Sequence, residues 1–307
     1  MTRQVEALIA ARDLAGTNTR RVRRALGALF RGALFRGAVG KDVVSRTWRR
    51  IKADWEGWNR RSLAGDDIVR LILGGTVGRG RLDRTASNLS LLVVLGIRGD
   101  GQKVLLSVRA MGGESEAAWR GVLDDLLARG LRTPGFLMID GAAGLQRALA
   151  ALWPAVPTQR CTLHKHRTLL AHAPEKLHEE ITADYTDMIH AESAGEIETR
   201  RRAFLRKGRL KHRAVADSME EAGDRLFTFT RLPASQWRSA RTTNAIERLH
   251  EEFKRRIKTH TALPSAETAA MLSWALLASG QITMRKVDGG QSLGEALAAP
   301  TPIDLAA

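Results

Sequence analysis

Two acidic side chains stand where a chain can put carboxylates to chemical use. Asp140 closes the apolar run FLMID and is followed at once by the small-residue turn GAAGL. A carboxylate at the carboxyl end of a buried strand reaches the crevice where α/β sheets hold ligands, although capping the next helix is the plainer use of the position. Glu247 lies in RTTNAIERLHEEFKRRIK, where helical spacing sets Asn244, Glu247, Glu251, Lys254 and Lys258 along one face. Such alternation commonly makes surface ion pairs. Arg241 ahead of it and Lys254, Arg255 and Arg256 within it could instead hold a phosphodiester backbone against the carboxylate. Hard divalent cations, Mg²⁺ or Mn²⁺, take oxygen ligands and assist phosphodiester cleavage, so a site of this kind needs a third acid from another strand.

Cys161 and His164 form a Cys-x-x-His run, QRCTLHKH, just after the last apolar strand. With His166, and with His172 or His178 to complete the set, it could hold zinc; the alternative is a packed, hydrogen-bonded pair that orients the floor of an acidic site. Trp237 precedes the Glu247 helix and reads either as a core residue or as a platform for a base. Cys161 is the single cysteine, which excludes an intrachain disulfide and points to a reducing, cytoplasmic setting.

The elements that must position these residues follow from periodicity. Residues 1–64 read as helical, with the segment GKDVVSRTWRRIKADW as a turn and a helix. Its Arg46, Arg49, Arg50 and Lys52 either meet DNA phosphates or form an ordinary solvated basic face. The pentapeptide GALFR occurs at 27–31 and again at 32–36, and five extra residues turn a helix by about 140° beyond one full turn. From 65 to 164 the pattern alternates. DIVRLIL starts a strand, and NLSLLVVLGI and QKVLLSVR make a hairpin about RGDG. A helix from about Ser115 to Arg129 presents Trp119, Val122, Leu123, Leu126 and Leu127 on one face and stops at Gly130; FLMID, GLQRALAALW and VPTQRC then give strand, helix and strand. The expectation is an α/β fold of order βββαβαβ, three antiparallel strands followed by a βαβ unit. Residues 165–236 are helical and polar, an insertion, and 237–307 complete the core with the Glu247 helix and the apolar AETAAMLSWALLASG.

The chain has 307 residues and 44% hydrophobic content, enough for a sizeable core. Its 49 Lys plus Arg exceed 33 Asp plus Glu, a formal +16, and from Arg20 to Arg61 thirteen basic residues face only Asp42, Asp54 and Glu56. A surplus of this size calls for a polyanion, with nucleic acid first in line. No apolar run approaches the ~18 residues that would span a bilayer, and the polar start carries no signal-peptide core, so neither membrane insertion nor secretion is expected.

Taken together, NLSLLVVLGI with GGES and Trp119, the IDGAAGL turn, QRCTLHKH and QWRSARTTNAIERLHEEFKRRIK resemble the Mutator-type bacterial insertion-sequence transposases, over about residues 20–290. The resemblance implies an RNase H-like core with a DDE acidic triad, a helical insertion before the final Glu, and a basic N-terminal DNA-binding region, here truncated. It implies Asp140 as second acid, Glu247 as third, Mg²⁺ or Mn²⁺ as cofactor, and Cys161 and His164 as a motif near the site. The implied partners are terminal inverted repeats and target DNA, bound by a homodimer or higher assembly in the nucleoid. The implied activity is nicking at element ends and strand transfer.

The first acid should begin an Asp-Gly-Thr at the end of the first strand, but the stretch is LILGGTVGRGRLD, which puts Gly74 there. Asp83, nine residues on, would face the other side of the sheet roughly 30 Å away, and Asp66 and Asp67 fare little better. Gly78 and Gly80 likewise replace expected apolar residues. The chain is therefore expected to be an impaired copy, or else a DNA-binding remnant that regulates intact copies.

Overall fold

Strand periodicity and apolar content build a five-stranded mixed sheet. The computed structural model describes residues 41–82, 85–257, 266–280, 282–289 and 293; the GALFR repeat, Asp83 and Lys258 lie outside them. Strands β1 (Ile68–Leu82), β2 (Thr85–Arg98) and β3 (Lys103–Met111) form an antiparallel meander. Helix α2 (Glu116–Ala128) leads to β4 (Phe136–Ile139), which pairs parallel with β1, and α3 (Ala143–Leu152) leads to β5 (Thr158–Arg160), parallel with β4. The order across the sheet is β3-β2-β1-β4-β5, so the expected βββαβαβ succession holds. One difference is β1: it runs on past Gly74, Gly78 and Gly80 for 15 residues, because β2 supplies a continuous antiparallel ladder out to Leu82 opposite Thr85.

Side chains alternate between faces with period two. Leu71, Leu73, Leu137 and Ile139 pack with Trp119, Leu123, Leu145 and Leu149 of α2 and α3. Ile72, Phe136 and Met138 point the other way, into a core shared with the remaining helices. The Ser115 side chain caps α2 by accepting the Ala118 N–H, and Gly130 ends the turn after that helix at φ +90°.

Helix α1 (Lys41–Arg60) lays Ile51 and Trp55 into this second core, where Trp55 stacks on Trp58 at 5.1 Å and meets Trp274 at 5.7 Å. The described part of the N-terminal region, α1, thus shares its packing with the sheet. After β5 come α4 (Thr162–Ala171), a 3₁₀ turn (Glu175–Leu177), α5 (His178–Ile189), α6 (Ala194–Lys211), α7 (Arg213–Ala222), two 3₁₀ turns and α8 (Ala234–Ala240). They are tied to the sheet by fully buried Gln159 of β5, which accepts the Phe229 N–H at 2.7 Å and donates to the Leu226 carbonyl at 2.7 Å. Helices α9 (Asn244–Ile257) and α10 (Ala266–Ala278) then return to the sheet, resting on β1 and β3. Among the described residues no helix is long and apolar enough to cross a membrane.

Candidate carboxylate site and basic surfaces

Asp140 is the residue after β4, and the parallel pairing of Leu73 with Ile139 puts Gly74 level with it. The two carboxylate oxygens accept backbone N–H groups, Oδ2 from Gly75 and Oδ1 from Ala142, each at 2.9 Å. The N-cap of α3 is Ala142, with no side-chain cap, so Asp140 does not cap the helix but holds the turn that leads into it. A Cβ built on Gly74 would stand 3.0 Å from Asp140 Oδ2 and 3.4 Å from Ile246 Cδ1 of α9. A side chain at position 74 would therefore point beside Asp140 and under α9.

Glu247, one residue beyond Ile246, holds both oxygens against Arg167 of α4, at 3.0 and 3.2 Å. His164 Nε2 is 3.4 Å from the same carboxylate. Among the described side chains the cation on Glu247 is thus Arg167.

Cys161 is buried, accepts the Thr243 N–H at 3.3 Å and is hydrogen-bonded to His164, which also approaches Thr243 Oγ1 at 3.4 Å. That hydrogen bond raises the His164 pKa against the effect of burial, and the charges of Glu247 and Asp140 raise it further. Burial pushes the Cys161 thiol up, but its hydrogen bonds to His164 and Thr243 outweigh this and hold it below the ordinary value. The pair is thus packed and hydrogen-bonded between the two acidic residues. The zinc alternative gains nothing, because His166 turns to Thr182 and His178 to the Ala173 carbonyl.

Two neighbours of the site escaped the sequence reading. Glu114, from the GGES motif, puts its carboxylate where a Cβ at Gly75 would lie, so any larger residue at 75 would displace it. Burial raises its pKa, and the Asp140 charge adds to the rise. Arg167 directly follows QRCTLHKH, but nothing in the spacing tied it to a residue 80 positions away. The motif boundaries were the available clue to both.

The donor set does not make a cation site as it stands. Gly74 offers no oxygen, Glu247 is taken by Arg167, and among the described residues no three His, Cys, Asp or Glu converge closely enough to hold a metal ion.

The basic residues sort by burial. Arg49, Arg50 and Lys52 are exposed on α1, and the side chains of Arg46, Lys254 and Arg256 lie outside the described residues. Arg255 is exposed and closes on Glu252 at 2.6 Å. Arg241 is half-buried and donates to the Ile189 carbonyl, and Asn244 opens α9. Trp237 is partly buried, edge-on to Phe229 at 5.5 Å, with its N–H on the Leu232 carbonyl, so the core reading holds.

A family described as "Transposase, Mutator family" matches residues 1–283. The chain belongs to the Mutator family of transposases. It is similar to the transposase for insertion sequence element IS6120 of Mycolicibacterium smegmatis, 29% identical over 81% of this chain and 78% of the relative. The transposase for element IST2 of Acidithiobacillus ferrooxidans is 34% identical over 64% of the chain and 68% of the relative. The transposase for element ISRM5 of Rhizobium meliloti is 28% identical over 89% and 67%. The alignments with these relatives thus cover between 67% and 78% of their lengths.

Proposed function

We propose that this Mutator-family chain carries the design of an insertion-sequence transposase, which binds terminal inverted repeats, nicks DNA there and transfers the freed 3′ end to target DNA. Asp140 and Glu247 are its second and third acids. Catalysis is impaired because Gly74 occupies the first. The observation that carries this reading is the direction of the missing side chain: a residue at 74 would lie against Asp140 and beneath the helix that bears Glu247. An acid there would add the oxygen ligand needed for Mg²⁺ or Mn²⁺. The strand order, with β1 antiparallel to β2 and parallel to β4, supports an RNase H-like core interrupted by the helices after residue 164.

In this reading Cys161 and His164 brace the floor of the site. Arg46, Arg49, Arg50 and Lys52 of α1, with Arg241, Asn244, Lys254, Arg255 and Arg256, hold DNA. Bringing two element ends together calls for a homodimer or higher assembly, acting on nucleoid DNA in the cytoplasm.

The clamp of Arg167 on Glu247 favours a second reading, in which the chain is a catalytically silent DNA-binding remnant that regulates intact transposase. Metal-dependent nicking and strand transfer on an element-end duplex separate the two. Gly74→Asp is expected to gain activity that an added Glu247→Ala removes. Full activity of the unaltered chain would overturn the placement of the first acid, and three folded but silent chains would favour the remnant.

A further inference from the structure

Beside the carboxylates, on the same side of the sheet, lies a cavity of about 650 Å³ whose floor reaches Ile72 of β1. Six cations from distant parts of the chain line it: Lys103, Arg238, Arg241, Arg248, Arg285 and Lys286. The carboxylate among its lining residues is Asp288, 3.9 Å from Arg238, and Lys286 reaches a second one, Asp100, at 3.3 Å, which leaves four of the six without an acid partner among the described residues. Lys103 and Arg241 spend one donor each on backbone carbonyls, those of Arg285 and Ile189. Arg248, exposed and adjacent to Glu247, has no hydrogen-bond or ion-pair partner among the described residues.

The amino terminus of α9 opens on the same space through Asn244 and Ala245 and adds its positive dipole end. Burial lowers the pKa of Lys103 despite Asp288, and Arg248 lowers it further; burial and Arg238 do the same to Arg241. Cations that depress one another with so little counter-charge are a standing demand for an anion. The larger cavity of about 920 Å³ elsewhere makes a weaker demand: it is lined by Arg201, Arg202, Arg225 and Arg231, but the first two are paired with Glu198 and Asp224 and Arg225 rests on Gln146.

We infer that this cavity is a phosphate-binding cleft, filled by a phosphodiester of the DNA strand presented to Asp140 and Glu247. The inference rests on the DNA-binding reading for its source of phosphate, although the cleft's chemistry would also take a free polyphosphate. Arg248 is one residue along α9 from Glu247 but projects about 100° around the helix, so a phosphate held there lies round α9 from the acid and anchors the strand beside it.

The test uses the full chain, an Arg248→Ala/Arg285→Ala variant, and a control variant, Arg202→Ala/Arg209→Ala, that loses the same charge from ion-paired positions on α6. Anisotropy of a labelled duplex and of its single strand is followed across a KCl series, and inorganic pyrophosphate is tested for its effect on melting temperature. The cleft variant is expected to lower the slope of log affinity against log salt by about two units, one for each phosphate that an arginine no longer neutralises, and the control by far less. Pyrophosphate should raise the melting temperature of the parent and the control but not of the cleft variant. Equal slopes in the two variants with no pyrophosphate effect on the parent overturn the cleft. A pyrophosphate effect confined to chains with an intact cleft, in a protein that binds neither form of DNA, upholds the phosphate cleft and overturns DNA as its source.

Discussion

Gly74 and Asp140 lie close enough that chemistry at one is felt at the other. A Cβ at 74 fits only if Asp140 Oδ2, 3.0 Å from that point, gives slightly. An aspartate there would set two carboxylates side by side, and like charges at such range each disfavour ionisation of the other. Without divalent cation, Gly74→Asp is therefore expected to be less stable than the parent at pH 7, by about 1–2 kcal/mol. A cation that binds only the folded site reverses the loss. Melting with and without Mn²⁺ checks this: the ion should raise the melting temperature of Gly74→Asp and not that of the parent, and an equal response from both would sink the assignment of position 74. Glu247 enters the same balance through Arg167, whose guanidinium now fills both its oxygens.

The junction of β5, α4 and α7 is held by one carboxylate. Glu221 of α7 accepts from Arg160 of β5 at 2.8 Å and from Lys165 of α4 at 3.0 Å, and both cations are nearly buried. The hydrogen bond from Arg160 holds the Glu221 carboxyl below its ordinary pKa, with Lys165 adding to the effect. A depressed acid stabilises the fold fully above its unfolded pKa, about 4.3, and that contribution fades as pH falls through the lower folded value. Glu221→Gln should thus cost about 1–2 kcal/mol at pH 7, a modest figure because the carboxylate faces solvent, and the gap from the parent should close toward pH 3. Urea midpoints across that range measure it; a gap that does not change with pH would mean the ion pairs contribute nothing. Helix α1 makes a second joint. Trp55, 3% exposed, packs in a cluster with Trp58 and Trp274, which also meet each other at 5.9 Å, and Trp55→Ala should cost about 3–5 kcal/mol in calorimetry through the cavity it leaves. A cost under about 1 kcal/mol would mean that α1 is not docked on the core in solution.

Across the whole molecule the charge is unevenly spent. Much of the acidic complement of α5, α6 and α7 is used in local pairs such as Lys207–Asp184, Arg209–Glu220 and Arg200–Asp187. The formal +16 is consequently carried by α1, its preceding basic segment and the cleft beside α9. Binding to a duplex of arbitrary sequence should release counterions and weaken at least about tenfold between about 50 and about 200 mM salt. Affinity that is flat over that range would remove the electrostatic basis for a nucleic-acid partner.

The chain's own residues determined the order of elements, because apolar side chains recur with period two in the strands and near 3.6 in α2, α3 and α9. They also determined the family motifs and the position of Gly74, because both are local strings read without knowing what lies opposite. Partnership was another matter. That Glu247 meets Arg167, that Glu114 occupies the space left by Gly75, and that Lys103, Arg248 and Arg285 share one cavity depend on where distant segments land when the sheet closes. Such contacts carry no periodicity and no fixed spacing, so only the tertiary structure decided them. The same holds for the length of β1, which runs past Gly74, Gly78 and Gly80 because β2 pairs with it out to Leu82.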